Sequence, residues 1–255
     1  MRRVRPGQST EAPFGQLMKD TWNMLRLAVL DLDGTLVPGF AALAMTEALL
    51  DVPGADPAAA RAAIAAIHSY QAREIDHEEC ARRFHAGYAA TVRGVPPQAL
   101  DRAGRLAWEQ VGRELHPFVR DLIALLRARG LTVCLLSGSP HQAVRQAATD
   151  LGIDPDRAWG MTFATGTGPA LGLRGAKRAV LRRVEAATPV DWAHSFALGD
   201  SASDIEVLAL AGHPVAFEPD PQLRTAALAN GWPMADRDTV LVETRRALTA
   251  SADHG

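Results

Sequence analysis

Apolar residues in this chain fall into two patterns: short, nearly unbroken runs, and longer stretches in which they recur every three or four positions. The runs Leu25 to Leu30, Leu131 to Leu136 and Ser195 to Leu198, each ending in turn chemistry, predict strands buried on both faces, as in a parallel sheet. Trp159 to Ala164 and Pro214 to Phe217 read as two further short strands. Helical periodicity predicts helices over Phe118 to Arg129, with Gly130 as the stop, Ala176 to Ala187, Ile205 to Ala211, Gln222 to Asn230 with Gly231 after it, and Thr239 to Ala250. Ser139 as N-cap with Pro140 at the first helical position predicts another, running to about Leu151 and ended by Gly152. Strand and helix in alternation imply an α/β fold, a doubly wound parallel sheet with helices on both faces.

Two stretches break the alternation. From Phe40 to about His116 the pattern turns Ala-rich and helical, with apolar residues at Ala60, Ile64 and Ile67 and at Leu100, Ala103, Leu106, Ala107 and Val111. Breaks at Pro53-Gly54, around Asp76 and from Gly94 to Pro97 divide it into about four helices. Such an insert is too long for an ordinary connection. The expected organisation is therefore a flexible tail over 1–23, dispensable for activity, an α/β core over 24–38 and 117–255, and a helical domain over 39–116. The second stretch, Thr165 to Gly175, holds four glycines in neither Rossmann nor Walker spacing and reads as a loop or flap.

With 255 residues, 47% hydrophobic and 22% charged, the chain can bury a large α/β domain plus an accessory one. A net charge of −2 and a pI near 6.4 leave no electrostatic footprint for nucleic acid or an anionic membrane. No apolar run approaches the ~18 residues of a membrane span, and Arg2, Arg3 and Arg5 lack the apolar segment of a secretory signal behind them. Cys80 and Cys134 lie too far apart in sequence for a metal knuckle, and Cys134 sits inside a strand, so a reducing, cytoplasmic setting is expected.

Candidate chemistry begins where the first run ends, in Asp31-Leu32-Asp33-Gly34-Thr35-Leu36. Side chains at i and i+2 of an extended backbone share a side. Two carboxylates so close cannot both stay ionised in a dry pocket without a cation or a shared proton. Other polar residues stand at corresponding places: Ser137 and Gly138 after the second run, Lys177 in the first turn of a helix, and Asp200 and Asp204 after Gly199. In a parallel sheet these positions converge on one crevice beyond the strand ends. Carboxylates with a lysine form a hard oxygen cage suited to Mg²⁺ together with a substrate phosphate, which a hydroxyl, a backbone N–H and an ammonium would neutralise.

The Asp31 motif, with Ser137, Lys177 and Gly199-Asp200-Ser201-x-x-Asp204, resembles the haloacid dehalogenase-like superfamily, and the tail from Gly212 to Pro233 resembles its phosphoserine phosphatase-like branch with a helical cap. The resemblance implies a Mg²⁺-dependent phosphomonoester hydrolase acting on a small phosphorylated metabolite. Asp31 would be the nucleophile, forming an aspartyl phosphate, and Asp33 the acid/base. Ser137, Gly138 and Lys177 would bind phosphate, and Asp31, the Asp33 carbonyl, Asp200 and Asp204 would serve the metal. The 39–116 insert would be the cap. A phosphomutase or phosphotransferase of the same family, or a catalytically silent phospholigand binder, are the alternatives. In phosphoserine phosphatases a Glu nine residues after the nucleophile contacts the substrate's amino acid moiety; Phe40 stands at that position, so phosphoserine itself is not implied. His77-Glu78-Glu79-Cys80 lacks the second His of a zinc-protease helix and reads as a solvated helix.

Overall fold

The computed structural model describes residues 24–162, 173 and 175–249. Its centre is a six-stranded, all-parallel sheet in the order β3-β2-β1-β4-β5-β6. The strands are β1 (Leu27–Leu30), β2 (Thr132–Pro140), β3 (Ala158–Met161), β4 (Phe196–Gly199), β5 (His213–Phe217) and β6 (Met234–Ala235). β1 lies between β2 and β4, so chain order reverses beside it, and the carboxyl ends of β1 and β4 open on the crevice that such a reversal creates.

Alternation along each strand sorts the core into two layers. Ala28 and Leu30 of β1 join Val133, Leu135, Phe196, Leu198, Val215 and Phe217 on one face. Leu27 and Val29 join Cys134, Leu136, Ala197 and Ala216 on the other. The first face is covered by α5 (Val119–Ala128) and α6 (His141–Asp150), the second by α7 (Ala176–Ala187), α8 (Ile205–Leu208) and α9 (Pro221–Asn230). A last helix, α10 (Val240–Thr249), packs beside β5. No helix among the described residues is long and apolar enough to cross a membrane.

Between β1 and α5 lie four helices: α1 (Ala41–Ala48), α2 (Pro57–Gln71), α3 (His77–Val92) and α4 (Pro97–Val111). Local chemistry sets their starts. The Asp56 carboxylate accepts the N–H groups of Ala58 and Ala59 with Pro57 at the first helical position, and Asp76 accepts from Glu79. The α2 and α3 helices pack on each other, whereas α4 packs on α1 and α6. At the α4–α6 crossing a Cβ added to Gly104 would stand 2.6 Å from Gln142 Cβ and 3.0 Å from the Ala143 nitrogen, so the backbones approach as closely as only glycine permits. Met45, Ala103, Ala107 and Val111 belong to the same apolar cluster as Leu30, Leu122 and Val144. Where the chain returns to the core, the His116 N–H donates to the Leu36 carbonyl at 3.0 Å, joining the two ends of the insert.

Several elements differ from the sequence reading. β2 does not stop at Leu136: it continues to Pro140 through a register shift, pairing Pro140 with Met161. The next helix therefore starts at His141, with Pro140 rather than Ser139 as its cap. Ser139 caps nothing because its hydroxyl is held by Asp33. The helix expected over Ile205 to Ala211 is one α-turn preceded by a 3₁₀ turn over Ala202–Asp204. β6, two residues long, shows no period in the sequence. The third strand ends at Met161; Phe163 and Ala164, the tail over 1–23 and the flap expected between Thr165 and Gly175, apart from 173 and 175, lie outside the described residues.

Candidate active site

Asp31 directly follows β1, its N–H bound to the Leu198 carbonyl of β4 at 3.0 Å, and its side chain is buried at the carboxyl end of the sheet. The turn behind it is tight: the N–H groups of Leu36 and Val37 return to the Leu32 carbonyl, and Gly34 takes φ +78°. That glycine also makes room for chemistry. A Cβ there would fall 2.2 Å from Asp200 Oδ2, so Asp200 packs directly on the turn. Thr35 Oγ1 lies 3.2 Å from Asp200 Oδ1 and 3.4 Å from Asp31 Oδ2, linking the two acids.

Lys177 enters from the first turn of α7 and is almost fully buried. Its Nζ stands 2.6 Å from Asp31 Oδ1 and 2.7 Å from Asp204 Oδ1. The other Asp204 oxygen accepts from the Ser201 N–H at 3.2 Å and its hydroxyl at 3.1 Å. Asp31, Asp200 and Asp204 each offer an oxygen within 4.8 Å of the others. Electrostatics records this crowding. Burial, then the Asp204 and Asp33 charges, raise Asp31 from 3.8 to about 7 against the pull of Lys177. Asp200 is likewise raised well above the usual carboxylate range, first by burial and then by Asp31 and Asp204. Burial works against the Lys177 ammonium too, but the two carboxylates on it outweigh burial and raise it overall. One ammonium thus faces three acids, a deficit of positive charge that a hard divalent cation relieves.

Asp33 stands apart from that cluster although it is two residues from Asp31. Its Oδ1 accepts the Ala41 N–H at the start of α1 at 2.6 Å, and its Oδ2 accepts the hydroxyls of Ser139 at 2.5 Å and Ser137 at 3.0 Å. Burial raises its proton affinity, opposed first by the Ser139 bond and then by Ala41 and Ser137. Ser137 Oγ additionally accepts the Ser139 N–H at 3.0 Å. The structure therefore brings Asp31, Lys177, Asp200 and Asp204 together, and places Asp33 and Ser137 beside them as a hydrogen-bonded group. Gly138 lines the shared cavity from within β2, three residues before the next helix starts, so it does not sit at a helix N-terminus.

A cavity of about 90 Å³ opens over these groups, and the insert forms its far side. Tyr70, His77 and Phe84 from α2 and α3 line it, and none of them stands out in the sequence as a site residue. His77, read there as part of a solvated helix, is half-buried in this wall; burial, then Lys177, lowers its proton affinity. Cys80 and Cys134 are both buried free thiols.

Comparison with known proteins bears on the same segments. The sequence model of the haloacid dehalogenase-like hydrolases matches residues 28–209. A phosphoserine phosphatase of Mycobacterium tuberculosis is 31% identical over 240 residues, covering 92% of this chain and 54% of that protein. The chain spans about half the length of the curated relatives it matches first. Among solved structures, a Bordetella pertussis protein of unknown function superposes with a TM-score of 0.61 at 25% identity, over 84% of this chain and 99% of the other. A phosphoserine phosphatase captured as a phospho-aspartyl intermediate analogue shares the fold with a TM-score of 0.56 at 18% identity, over 84% and 94% of the two chains. A match that runs from β1 through α8, and so takes in the strand ends that gather Asp31, Lys177, Asp200 and Asp204, places this chain in the haloacid dehalogenase-like hydrolase family.

Proposed function

We propose that this protein is a Mg²⁺-dependent phosphomonoester hydrolase that works through a phosphorylated Asp31, with the four helices of the insert as its cap. The observation that carries this reading is the division of labour between two acids on one strand end. Asp31 lies in the charged cluster with Lys177, Asp200 and Asp204, and Asp33 lies two residues away on neutral hydroxyls. Asp31, Asp200 and Asp204, with the main-chain carbonyl of Asp33, would hold the ion, which when bound supplies charge neutralisation to the phosphoryl oxygens.

An Asp31 carboxylate oxygen attacks phosphorus and the bond from phosphorus to the alcohol oxygen breaks. Asp33, whose burial favours the protonated form, gives its proton to the departing oxygen. In the second half Asp33 takes a proton from water as that water attacks phosphorus, the bond to Asp31 breaks, and inorganic phosphate leaves. Ser137, the Gly138 backbone and the Lys177 ammonium orient the phosphoryl group, and the insert limits the water that reaches it. Two free buried thiols suit a cytoplasmic setting.

The test is phosphate release from a panel of small phosphomonoesters with Mg²⁺ and with excess chelator. Turnover should need the ion, and Asp31→Asn should lower it by at least roughly 10³-fold while the folded protein is retained. Unaltered turnover in chelator or in Asp31→Asn would overturn the proposal.

A further inference from the structure

The cavity over Asp31 has two unlike walls. The sheet side carries Asp31, Asp33, Lys177 and Asp200. The insert side carries Phe40, Ile67, Tyr70 and Phe84 with Cys80 and two imidazoles, His77 and His85, whose proton affinity burial lowers, and no Lys, Arg, Asp or Glu of the insert is among the described residues that line it. The charged residues of the α2–α3 turn, Arg73, Glu74 and Asp76, border an adjoining outer hollow with Asp220, on the far side of the Phe40, Tyr70 and His77 wall that both spaces share. Ring packing makes the inner wall firm: Phe40 meets Tyr70 edge-on at 6.2 Å and Tyr70 meets His77 edge-on at 5.7 Å, both at 81°. Behind it Phe84 stacks on buried Tyr88 at 5.5 Å.

We propose that the site takes phosphomonoesters of uncharged, predominantly apolar alcohols and disfavours leaving groups that carry an ammonium or a carboxylate. The inference rests on the hydrolase reading and specifies its substrate class. Once the phosphoryl group occupies the charged wall, the rest of the ester lies against Phe40, Ile67 and Phe84. An ammonium or carboxylate there gives up hydration with no counter-charge on the insert to replace it, whereas an apolar group gains by leaving water. Aromatic walls can also hold a quaternary ammonium, and the edge-to-face contacts of Phe40, Tyr70 and His77 cover only one face of one ring in each pair, so phosphocholine enters the test as the charged ester best able to compete.

The experiment compares benzyl phosphate, phosphoserine and phosphocholine as substrates of the full chain with Mg²⁺. Beside it, calorimetry measures binding of two non-hydrolysable probes, benzylphosphonate and 2-amino-3-phosphonopropionate. The kcat/KM for benzyl phosphate should exceed that of either charged ester by roughly 10- to 100-fold, with the same order in the phosphonate affinities. Hydrolysis that favours phosphoserine or phosphocholine overturns this inference and leaves the hydrolase reading standing. If no ester is hydrolysed, that reading fails and the phosphonates decide: tighter benzylphosphonate supports the apolar chamber, and equal or reversed affinities overturn it.

Discussion

Replacing Lys177 with Met keeps the unbranched side chain to within one atom of its length and removes its charge. Lys177 is 2% exposed and bridges Asp31 and Asp204, which are 6% and 2% exposed. Deleting one partner of a buried ion pair leaves the other uncompensated and costs about 3–5 kcal/mol. In a chain of this size that lowers Tm by roughly 6–20 °C. The pH dependence is the sharper signature. Asp31 already sits near 7 with Lys177 pulling it down, against an ordinary value of 3.8, so the variant must move it higher. An acid with a raised folded pKa binds its proton more tightly in the native state. Its contribution to stability is full below the unfolded value and is lost as pH rises through the folded one, by about 1.4 kcal/mol per unit. In the variant that loss continues beyond pH 7, so the gap from wild type should be narrow at pH 5 and wide at pH 9. Urea unfolding in chelator at pH 5, 7 and 9 measures it. A gap under about 1 kcal/mol at pH 9, or one equal at pH 5 and pH 9, would refute the reasoning.

Three further outcomes follow from the same geometry. Because Asp31 holds a proton up to about pH 7 and Asp200 is raised as well, Mg²⁺ must displace protons below that pH, and calorimetry should show affinity falling up to about tenfold per unit for each proton displaced between pH 7 and 5; a flat profile would remove Asp31 from the metal site. Gly34→Ala puts a methyl 2.2 Å from Asp200 Oδ2 at φ +78°. It should cost roughly 1–3 kcal/mol in chemical denaturation and weaken Mg²⁺ binding at least about tenfold; unchanged metal affinity would contradict the close packing of Asp200 on the turn. Ser139→Ala removes the foremost hydrogen bond that favours the Asp33 carboxylate, so the pKa assigned to the acid/base in the pH–rate profile should rise, and a profile that stays put would take Asp33 out of that role.

The placement of the charged cluster was legible because Asp31 and Asp200 follow apolar runs, and the carboxyl ends of neighbouring parallel strands must meet. Lys177 was legible from the glycine-closed loop before an amphipathic helix. Ser139 was misread for a physical reason. Ser-Pro before a helical pattern is a start signal, but the partner that claims its hydroxyl, Asp33, lies 106 residues away. Tyr70 and Phe84 carried no signal, and His77 carried only an incomplete zinc-protease pattern that pointed to a solvated helix. Their helical spacing is that of ordinary core or surface positions, and only the docking of α2 and α3 beside the sheet turns them into a wall. Two-residue β6 exists through its pairing with β5 and has no local pattern to read.

The close crossing at Gly104 bears on how freely a fold of this kind exchanges parts. A cassette joined to its host by two linkers could be cut out and replaced. Here the insert shares apolar ground with the sheet, and a side chain at position 104 would collide with the backbone of Gln142 and Ala143. A transplanted insert would have to bring both a glycine at that crossing and a matching seam of small residues, so altered selectivity in this scaffold is more readily reached by changing side chains of α2 and α3, which pack away from that joint.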